Sequence, residues 1–213
     1  MEKFDLILVG TGFASSFFLK KYLEKSPPDT RILVLERGIL YPYTERMKIA
    51  RGEKSEIFAK RAKISDAFIN NNEDKVWMFD PNFGGSSNCW TGCTPRFLPN
   101  DFSIKSLYGV GQDWPISYDA LEPYYTQAEE IMMIGGPDIT PFPKSKPYPL
   151  PPQKLSSIDK LIQDRYKELY ISQPSARATV ATGSRNACCT SAVCGLCPVN
   201  SKFTIENTLG YLY

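Results

Sequence analysis

The chain has 213 residues, 42% of them hydrophobic and 23% charged, which is typical of a globular protein with one sizeable core or two small domains. Its net charge of +2 gives no strongly basic field, and this excludes nucleic acid as an expected partner. No apolar run is long enough to cross a bilayer, so we expect no direct insertion into a membrane.

The first 38 residues have the pattern of strand, glycine turn, helix and strand. An apolar run at 4–9 leads into Gly10-Thr11-Gly12, a helical stretch follows, and a second apolar run at 31–35 ends at Glu36. Such a turn lets backbone N–H groups approach a pyrophosphate, and the helix N-terminus directs partial positive charge at it. Glu36 can accept hydrogen bonds from a ribose diol and would repel a 2′-phosphate. The pattern therefore predicts a site for FAD or NAD rather than NADP.

The helix after the turn supports this interpretation. Ser15, a small residue, takes the place of the third glycine of the usual fingerprint. The residues expected to pack on the sheet recur at helical spacing: Ala14, Phe17, Phe18 and Tyr22. A signal peptide is the alternative, but acidic residues precede the run, Lys20-Lys21 follow it, and a partner strand comes next. We therefore expect a cytoplasmic location by default, with export in a complex with a partner left open.

The middle of the chain is predicted as one helix and one irregular loop. Residues 41–80 are polar, with a single amphipathic helix whose apolar face carries Ile57, Phe58, Ile64 and Phe68. Residues 83–101, FGGSSNCWTGCTPRFLPND, are too irregular for a helix or strand and too apolar at the ends for a solvated loop. Such a segment is typical of backbone that lies against a ligand.

Three elements are predicted downstream. A helix runs through Met132 with Pro123 in its first turn, and Gly135-Gly136-Pro137 ends it. Seven prolines at 137–152 indicate an extended connector. Ser156 or Ser157 caps a further helix, whose inward residues are expected to be Ile158, Leu161, Ile162 and Leu169. Residues 177–182 are predicted to form a strand.

Histidine is absent and cysteine is clustered. Without histidine the commonest general base is missing, and Asp101, Asp113 and Glu122 fall in stretches typical of turns or helix caps, so we predict no catalytic residue.

Four of the six cysteines lie close together: Cys188, Cys189, Cys194 and Cys197. Without a secretory signal this clustering favours metal or redox chemistry. An iron-sulfur cluster, structural thiols or a disulfide, and zinc remain open; zinc is disfavoured because adjacent cysteines chelate one ion poorly.

Four blocks in this order, GTGFAS, FGGSSNCWTGCTPRFLPNDF, DWPISYDALEPYYTQAEE and CGLCPVNSKFTIENTLGYL, resemble the glucose-methanol-choline flavoprotein oxidoreductases. The resemblance is strongest to the sugar-oxidising branch with pyranose oxidases and bacterial glucose, fructose and gluconate dehydrogenases. It covers nearly the whole chain but only the N-terminal half of the family pattern. It implies FAD, and a sugar or other alcohol oxidised by hydride transfer to the flavin. The implied fold class is α/β, a Rossmann-like βαβ unit with additional α+β segments on the flavin and substrate side, incomplete relative to the family.

The resemblance also assigns cofactor-binding positions, and at Cys89 it departs from pyranose oxidases. They are Gly10, Thr11, Gly12, Phe13, Ala14, Ser15, Glu36, Arg37, Gly84, Gly85, Ser86, Asn88, Cys89, Trp90, Thr91 and Gly92. Pyranose oxidases carry a flavin-linked histidine at the position of Cys89, so a histidyl-flavin is excluded here. A cysteinyl link stays open, while an unmodified thiol is favoured. Cys93 is expected to be a small apolar filler.

The cysteine cluster resembles that of bacterial dehydrogenases in which an adjacent pair and a third cysteine hold a three-iron cluster. There the cluster passes electrons to a cytochrome partner. Metal ligands would then come from Cys188, Cys189, Cys194 and Cys197, although the interval before the last is shorter than in that subgroup.

The sequence thus predicts an FAD-binding unit at 1–136 with its flavin-facing loop at 83–101, a proline-rich connector at 137–152, and a cysteine-rich segment at 153–213. The first hypothesis is the N-terminal part of an FAD-dependent sugar or alcohol dehydrogenase, inactive without a complementing C-terminal chain. The alternatives are a non-catalytic nucleotide-binding or assembly subunit or gene remnant, and an NAD-dependent reductase, which the loop at 83–101 disfavours.

Overall fold

A computed structural model describes residues 2–213. Strand β1, Leu6–Val9, and strand β2, Ile32–Leu35, form a two-stranded parallel sheet in which Leu6 lies opposite Ile32 and Val9 opposite Leu35. The helices are α1 at Phe13–Leu23, α2 at Tyr43–Ala50, α3 at Glu56–Ala59, α4 at Ile104–Tyr108, α5 at Tyr118–Met132 and α6 at Ser157–Tyr166. The protein is therefore mixed α/β, and it opens with the strand, turn, helix and strand expected from the sequence. Within the described residues no helix combines the length and apolarity needed to cross a membrane.

Two compact units divide the chain. Unit 1 contains the residues up to Thr91 together with Thr190–Tyr213, and unit 2 contains Gly92–Cys189. The predicted boundaries at 136 and 152 do not coincide with these limits, because the last 24 residues, 190–213, pack with the first 91.

The core of unit 1 forms where α1 meets the end of the chain. Phe203 is fully buried, and its ring lies 6.0 Å from that of Phe13 and 6.1 Å from that of Phe17. Leu19 of the same helix is 1% exposed. Phe18, by contrast, is 51% exposed, and Ala14 is also exposed, so the prediction that both pack inward was wrong. The buried face is turned toward the final segment of the chain, which the periodicity of α1 could not reveal.

The single helix predicted around residues 57–68 is also wrong. The structure has α2, the short α3 and a 3-10 turn at Ile64–Asp66. The break occurs where the amide of Asn82 takes both backbone groups of Ala62: Ala62 N–H donates to Asn82 Oδ1 at 2.9 Å, and Asn82 Nδ2 donates to Ala62 O at 2.9 Å. These bonds replace the helical ones at that residue.

Both long helices of unit 2 carry the serine caps that favour a helix start. Ser117 accepts from Ala120 N–H at 3.2 Å, so α5 begins at Tyr118 and Pro123 lies in the second turn, not the first. Ser156 caps α6 by accepting from Asp159 N–H at 3.1 Å, as predicted. The inward face predicted for this helix was wrong, because three of the four residues expected to face inward are largely exposed: Ile158, Leu161 and, beyond the end of α6, Leu169.

Residues 177–182 are not a strand, which corrects the prediction. Isolated bridges occur instead, among them those of Ser175 with Cys93 and Gly135. The buried Arg185 donates to Ala176 O at 3.0 Å and to Met132 O at 2.8 Å, and it thereby joins the residue just before this segment to the end of α5.

A buried arginine joins the segments of unit 2. Arg96 makes a bidentate pair with Glu129, with both N–O distances 2.7 Å, and a further pair with Glu122 at 2.9 Å. It also donates to Thr126 at 3.1 Å and to Pro143 O at 3.0 Å. The proline-rich connector is thereby fixed to α5.

Glu122 should make unit 2 sensitive to acid. Burial raises its pKa, but bonds from Ser145 and Arg96 outweigh this and lower the pKa to about 2. Because the pKa of Glu122 is lower in the folded than in the unfolded chain, its stabilising contribution is fully present above pH 4.5 and is lost as the pH falls toward 2. We expect Glu122→Gln to lower the free energy of unfolding by about 2 kcal/mol at pH 7 and by almost nothing at pH 2, as measured by urea unfolding across this range. Equal costs at both ends would contradict this account; Asp119→Asn on the same helix is the control.

Candidate functional site

The turn between β1 and α1 is open to a ligand. Gly10 has a φ of +86°, and a Cβ at Gly10 or Gly12 would meet nothing within 4 Å. Gly12 precedes the first residue of α1, and no side chain caps this helix. The N–H groups of its first turn therefore have no side-chain cap, and they lie at the positive end of the helix dipole. This arrangement fits an anionic group such as a pyrophosphate.

Glu36, at the end of β2, turns its carboxylate toward this glycine turn. Its Oε2 accepts from Thr11 N–H at 3.0 Å and from Thr11 Oγ1 at 2.6 Å, and its Oε1 accepts from Gly38 N–H at 3.0 Å. A carboxylate has about four acceptor positions, so capacity for a further donor remains. Gly38 itself must be glycine, because a Cβ there would lie 2.4 Å from backbone atoms of Pro81 and Asn82.

The irregular loop lies directly against the glycine turn. Gly84 N–H donates to Thr11 Oγ1 at 2.9 Å, and a Cβ on Gly85 would lie 3.1 Å from Gly12 Cα. Both Gly84 and Gly85 have positive φ, at +87° and +55°. The structure thus brings together two of the segments that the sequence singled out, the turn at residues 10–12 and the loop from Gly84.

Gly85→Ala tests this close approach. Gly52, with φ +77°, has open space where its Cβ would be, whereas Gly85 faces backbone. In Gly52→Ala only the left-handed conformation is unfavourable, so this variant should lower the free energy of unfolding by about 1 kcal/mol. Gly85→Ala adds a clash with backbone and should lower it by about 2 kcal/mol or more. Urea unfolding of the two variants measures the difference. Equal costs would show that the loop does not need to contact Gly12.

A network of polar side chains fixes the loop. Asn88 Oδ1 accepts from Arg46 at 2.7 Å, and its Nδ2 donates to Asp80 at 2.8 Å. Asp80 also accepts from Tyr41, and Arg46 pairs with Glu206. With its amide fully engaged and 6% exposed, Asn88 holds the loop in place rather than offering a donor to a ligand. Sequence reasoning missed this network, since one of its bonded pairs, Arg46 and Glu206, is separated by 160 positions.

Lys202 is a second residue that the sequence did not single out. It is 2% exposed, and its ammonium donates to Asn88 O at 3.0 Å, Trp90 O at 2.8 Å and Gly195 O at 2.9 Å. Burial lowers the pKa of Lys202 to about 8, so the ammonium form persists at neutral pH. All three of its donors are used, and they join the loop to the final segment of unit 1.

Cys89 and Trp90 occupy the same loop. Cys89 is a half-buried free thiol, and burial raises its pKa. It lines a cavity of about 540 Å³ together with Tyr41, Arg46 and Asp80. Trp90 donates from Nε1 to Phe203 O at 2.9 Å, and its ring meets Phe13 edge-on at 4.8 Å.

The remaining predicted positions differ in accessibility. Ser86 and Thr91 are exposed, Ser15 is half-buried, and Gly92 belongs to unit 2. Arg37 lines a separate cavity of about 550 Å³ with mostly apolar residues: Ala67, Phe68, Trp77, Phe79 and Pro81.

The four clustered cysteines are divided between the two units. Cys188 and Cys189 end unit 2, whereas Cys194 and Cys197 belong to unit 1. Cys93, expected to be an apolar filler, is exposed. Across residues 2–213 no three Cys, Asp or Glu side chains are placed to hold one metal ion. Cys197 accepts from Ser201 N–H at 3.2 Å, which is a structural use of its sulfur.

Comparison with known proteins finds three dehydrogenases. The chain is 36% identical over 128 residues to the fructose dehydrogenase large subunit of Gluconobacter japonicus, covering 56% of this chain and 24% of that protein. It is 42% identical over 57 residues to the 2-methyl-1,2-propanediol dehydrogenase of Mycolicibacterium austroafricanum, covering 26% and 10%. It is 24% identical over 196 residues to the gluconate 2-dehydrogenase flavoprotein of Pantoea cypripedii, covering 72% and 31%. No family model matches the chain.

These similarities support a relation to sugar and alcohol dehydrogenases, of which one is named a flavoprotein and another a large subunit. The chain matches less than a third of the length of each relative, at 24%, 10% and 31%.

Proposed function

We propose that the chain is the FAD-binding portion of an oxidoreductase of the glucose-methanol-choline family that acts on the CH–OH group of a sugar or other alcohol. The observation that carries the proposal is the contact between the glycine turn and the loop from Gly84, with Glu36 bonded to the same turn. A pyrophosphate site, a ribose-binding acid and a glycine-rich wall then lie side by side, as an extended dinucleotide requires.

Each segment has a distinct role in this proposal. The N-terminus of α1 at Gly12 holds the pyrophosphate, and Glu36 accepts from the ribose hydroxyls. The accessible part of the loop, including Gly85, Cys89 and Trp90, forms a wall against the isoalloxazine. Bound FAD supplies the hydride acceptor, while the chain supplies binding and orientation.

Proton removal from the alcohol requires a base that we do not find in this site. Among the residues described, the carboxylate closest to the glycine turn is Glu36, and it is already bonded to Thr11 and Gly38. Asp101 accepts from Leu98 N–H and Asp113 from Ser106 N–H, so both act in local turns. We therefore expect the chain to be inactive by itself.

The exposed apolar residues of the sheet are evidence for a complementing segment. Within residues 2–213 β1 pairs only with β2, and Ile7 and Val9 on β1 are 58% and 75% exposed. Parallel sheets are normally covered on both faces. We infer that a further polypeptide segment, in the same chain or another, covers this apolar strand and supplies the base.

Reoxidation of the flavin requires an electron acceptor, for which we propose a partner protein such as a cytochrome. We propose no route through an iron-sulfur cluster, since among the described residues no three candidate ligands are placed to hold a metal ion. An artificial dye can replace the partner in an assay.

The experiment is coexpression of the chain with the polypeptide encoded downstream of Tyr213, followed by a dye-reduction assay. Fructose, gluconate and 2-methyl-1,2-propanediol serve as substrates, with NAD in place of dye as the control for a reductase. FAD-dependent dye reduction supports the proposal. An FAD-loaded complex that reduces no dye with any of these substrates would favour the non-catalytic binding subunit instead.

A further inference from the structure

Thr11 is not placed to contact a ligand. It is 2% exposed, although it lies between the two glycines of the turn. Its N–H donates to Glu36, so this backbone group is not available to a pyrophosphate. Its carbonyl accepts from Ser16 Oγ at 3.1 Å, and Ser16 Oγ in turn bonds Tyr213 at 2.8 Å. Every polar group of Thr11 is thus directed into the protein.

The hydroxyl of Thr11 connects two segments that are distant in sequence. It donates to Glu36 Oε2 at 2.6 Å and accepts from Gly84 N–H at 2.9 Å. Gly84 is buried, and its N–H has no other acceptor among the bonds of the described residues. One hydroxyl therefore orients both the Glu36 carboxylate after β2 and Gly84 in the irregular loop.

We infer that Thr11 is a positioning residue of the dinucleotide site, whose hydroxyl couples the ribose-binding carboxylate of Glu36 to the flavin-facing loop at Gly84. This inference rests on the proposed function. Without the hydroxyl, Glu36 loses a strong charge-assisted bond and Gly84 N–H is left buried without a partner. The carboxylate and the loop then no longer constrain each other, and both ends of the cofactor site loosen together.

The test compares FAD affinity among variants of the full chain by titration of flavin fluorescence. Thr11→Val, which removes the hydroxyl and keeps the branched shape, should weaken FAD binding about tenfold. Thr11→Ser keeps the hydroxyl and should stay within about threefold of the wild type. Thr30→Val is the matched control, because the Thr30 hydroxyl bonds only Pro27 O in a surface turn.

A double-mutant cycle separates positioning from general loss of stability. If Thr11 acts through Glu36, adding Thr11→Val to Glu36→Gln should weaken FAD binding by less than about threefold beyond Glu36→Gln alone. Thermal unfolding without FAD monitors folding, and Thr11→Ala replaces Thr11→Val if the latter does not fold.

The outcomes separate the inference from the function on which it rests. Wild-type affinity in Thr11→Val, loss of affinity in Thr11→Ser equal to that in Thr11→Val, or full additivity with Glu36→Gln would each overturn the inference while leaving FAD binding intact. Failure of the wild-type chain to bind FAD would overturn the proposed function and the inference with it.

Discussion

Replacement of Arg96 by methionine is expected to lower the free energy of unfolding of unit 2 by about 3–5 kcal/mol. The guanidinium is 1% exposed, and it forms ion pairs with Glu129 at 2.7 Å and Glu122 at 2.9 Å. Methionine fills much of the same volume but leaves two carboxylates in a poorly solvated site without their cation. The cost of that uncompensated charge exceeds the cost of the lost packing.

Urea unfolding, with hydrogen exchange across α5 to localise the effect, measures this prediction. Arg165→Met on the surface of unit 2 is the control and should change stability by less than about 0.5 kcal/mol. The triple variant Arg96→Met, Glu122→Gln, Glu129→Met removes the stranded charges and should regain about half of the loss or more. A triple variant no more stable than Arg96→Met would show that the charges are not the cause.

Lys202→Met is expected to destabilise unit 1 by about 3 kcal/mol. The ammonium satisfies the carbonyls of Asn88, Trp90 and Gly195 at once, and methionine leaves all three without a donor at a site that is 2% exposed. Each buried acceptor without a partner costs about 1–3 kcal/mol, partly relieved by water or by movement of the loop. Because two of these carbonyls belong to the loop, FAD affinity should fall along with stability.

Lys54→Met serves as the control for Lys202→Met, since Lys54 is an exposed lysine of the same unit. Chemical unfolding and FAD titration should both leave the control near the wild type. If Lys202→Met unfolds at the same urea concentration as Lys54→Met, the three carbonyls are satisfied without the ammonium and its bridging role is refuted.

Local patterns predicted the elements whose cause is local. The opening strand, turn and helix follow from an apolar run and a glycine pair, and the start of α6 follows from the serine cap beside it. The same approach failed where distant side chains decide the backbone. Asn82 interrupts the helix predicted near Ala62, and Arg185 joins Ala176, beside the expected strand, to Met132 at the end of α5.

The candidate site was predictable in part for the same reason. Glycines at 10, 12, 84 and 85 signal close backbone approach, and Glu36 at the end of a strand signals a ribose. Thr11 and Lys202 gave no such signal, because a threonine in a turn and a lysine near other polar residues are ordinary in sequence. Their importance lies in the distance they bridge, 73 positions for Thr11 to Gly84 and 114 for Lys202 to Asn88.

Titration of the purified 213-residue chain with FAD tests the central claim most directly, with ADP and NADP as competitors. We predict saturable binding of one FAD per chain, displaced by ADP, which shares the ribose and pyrophosphate, and not by NADP, whose 2′-phosphate Glu36 repels. Absence of saturable FAD binding, or displacement by NADP as readily as by ADP, would contradict the assignment of the glycine turn and Glu36 to this cofactor.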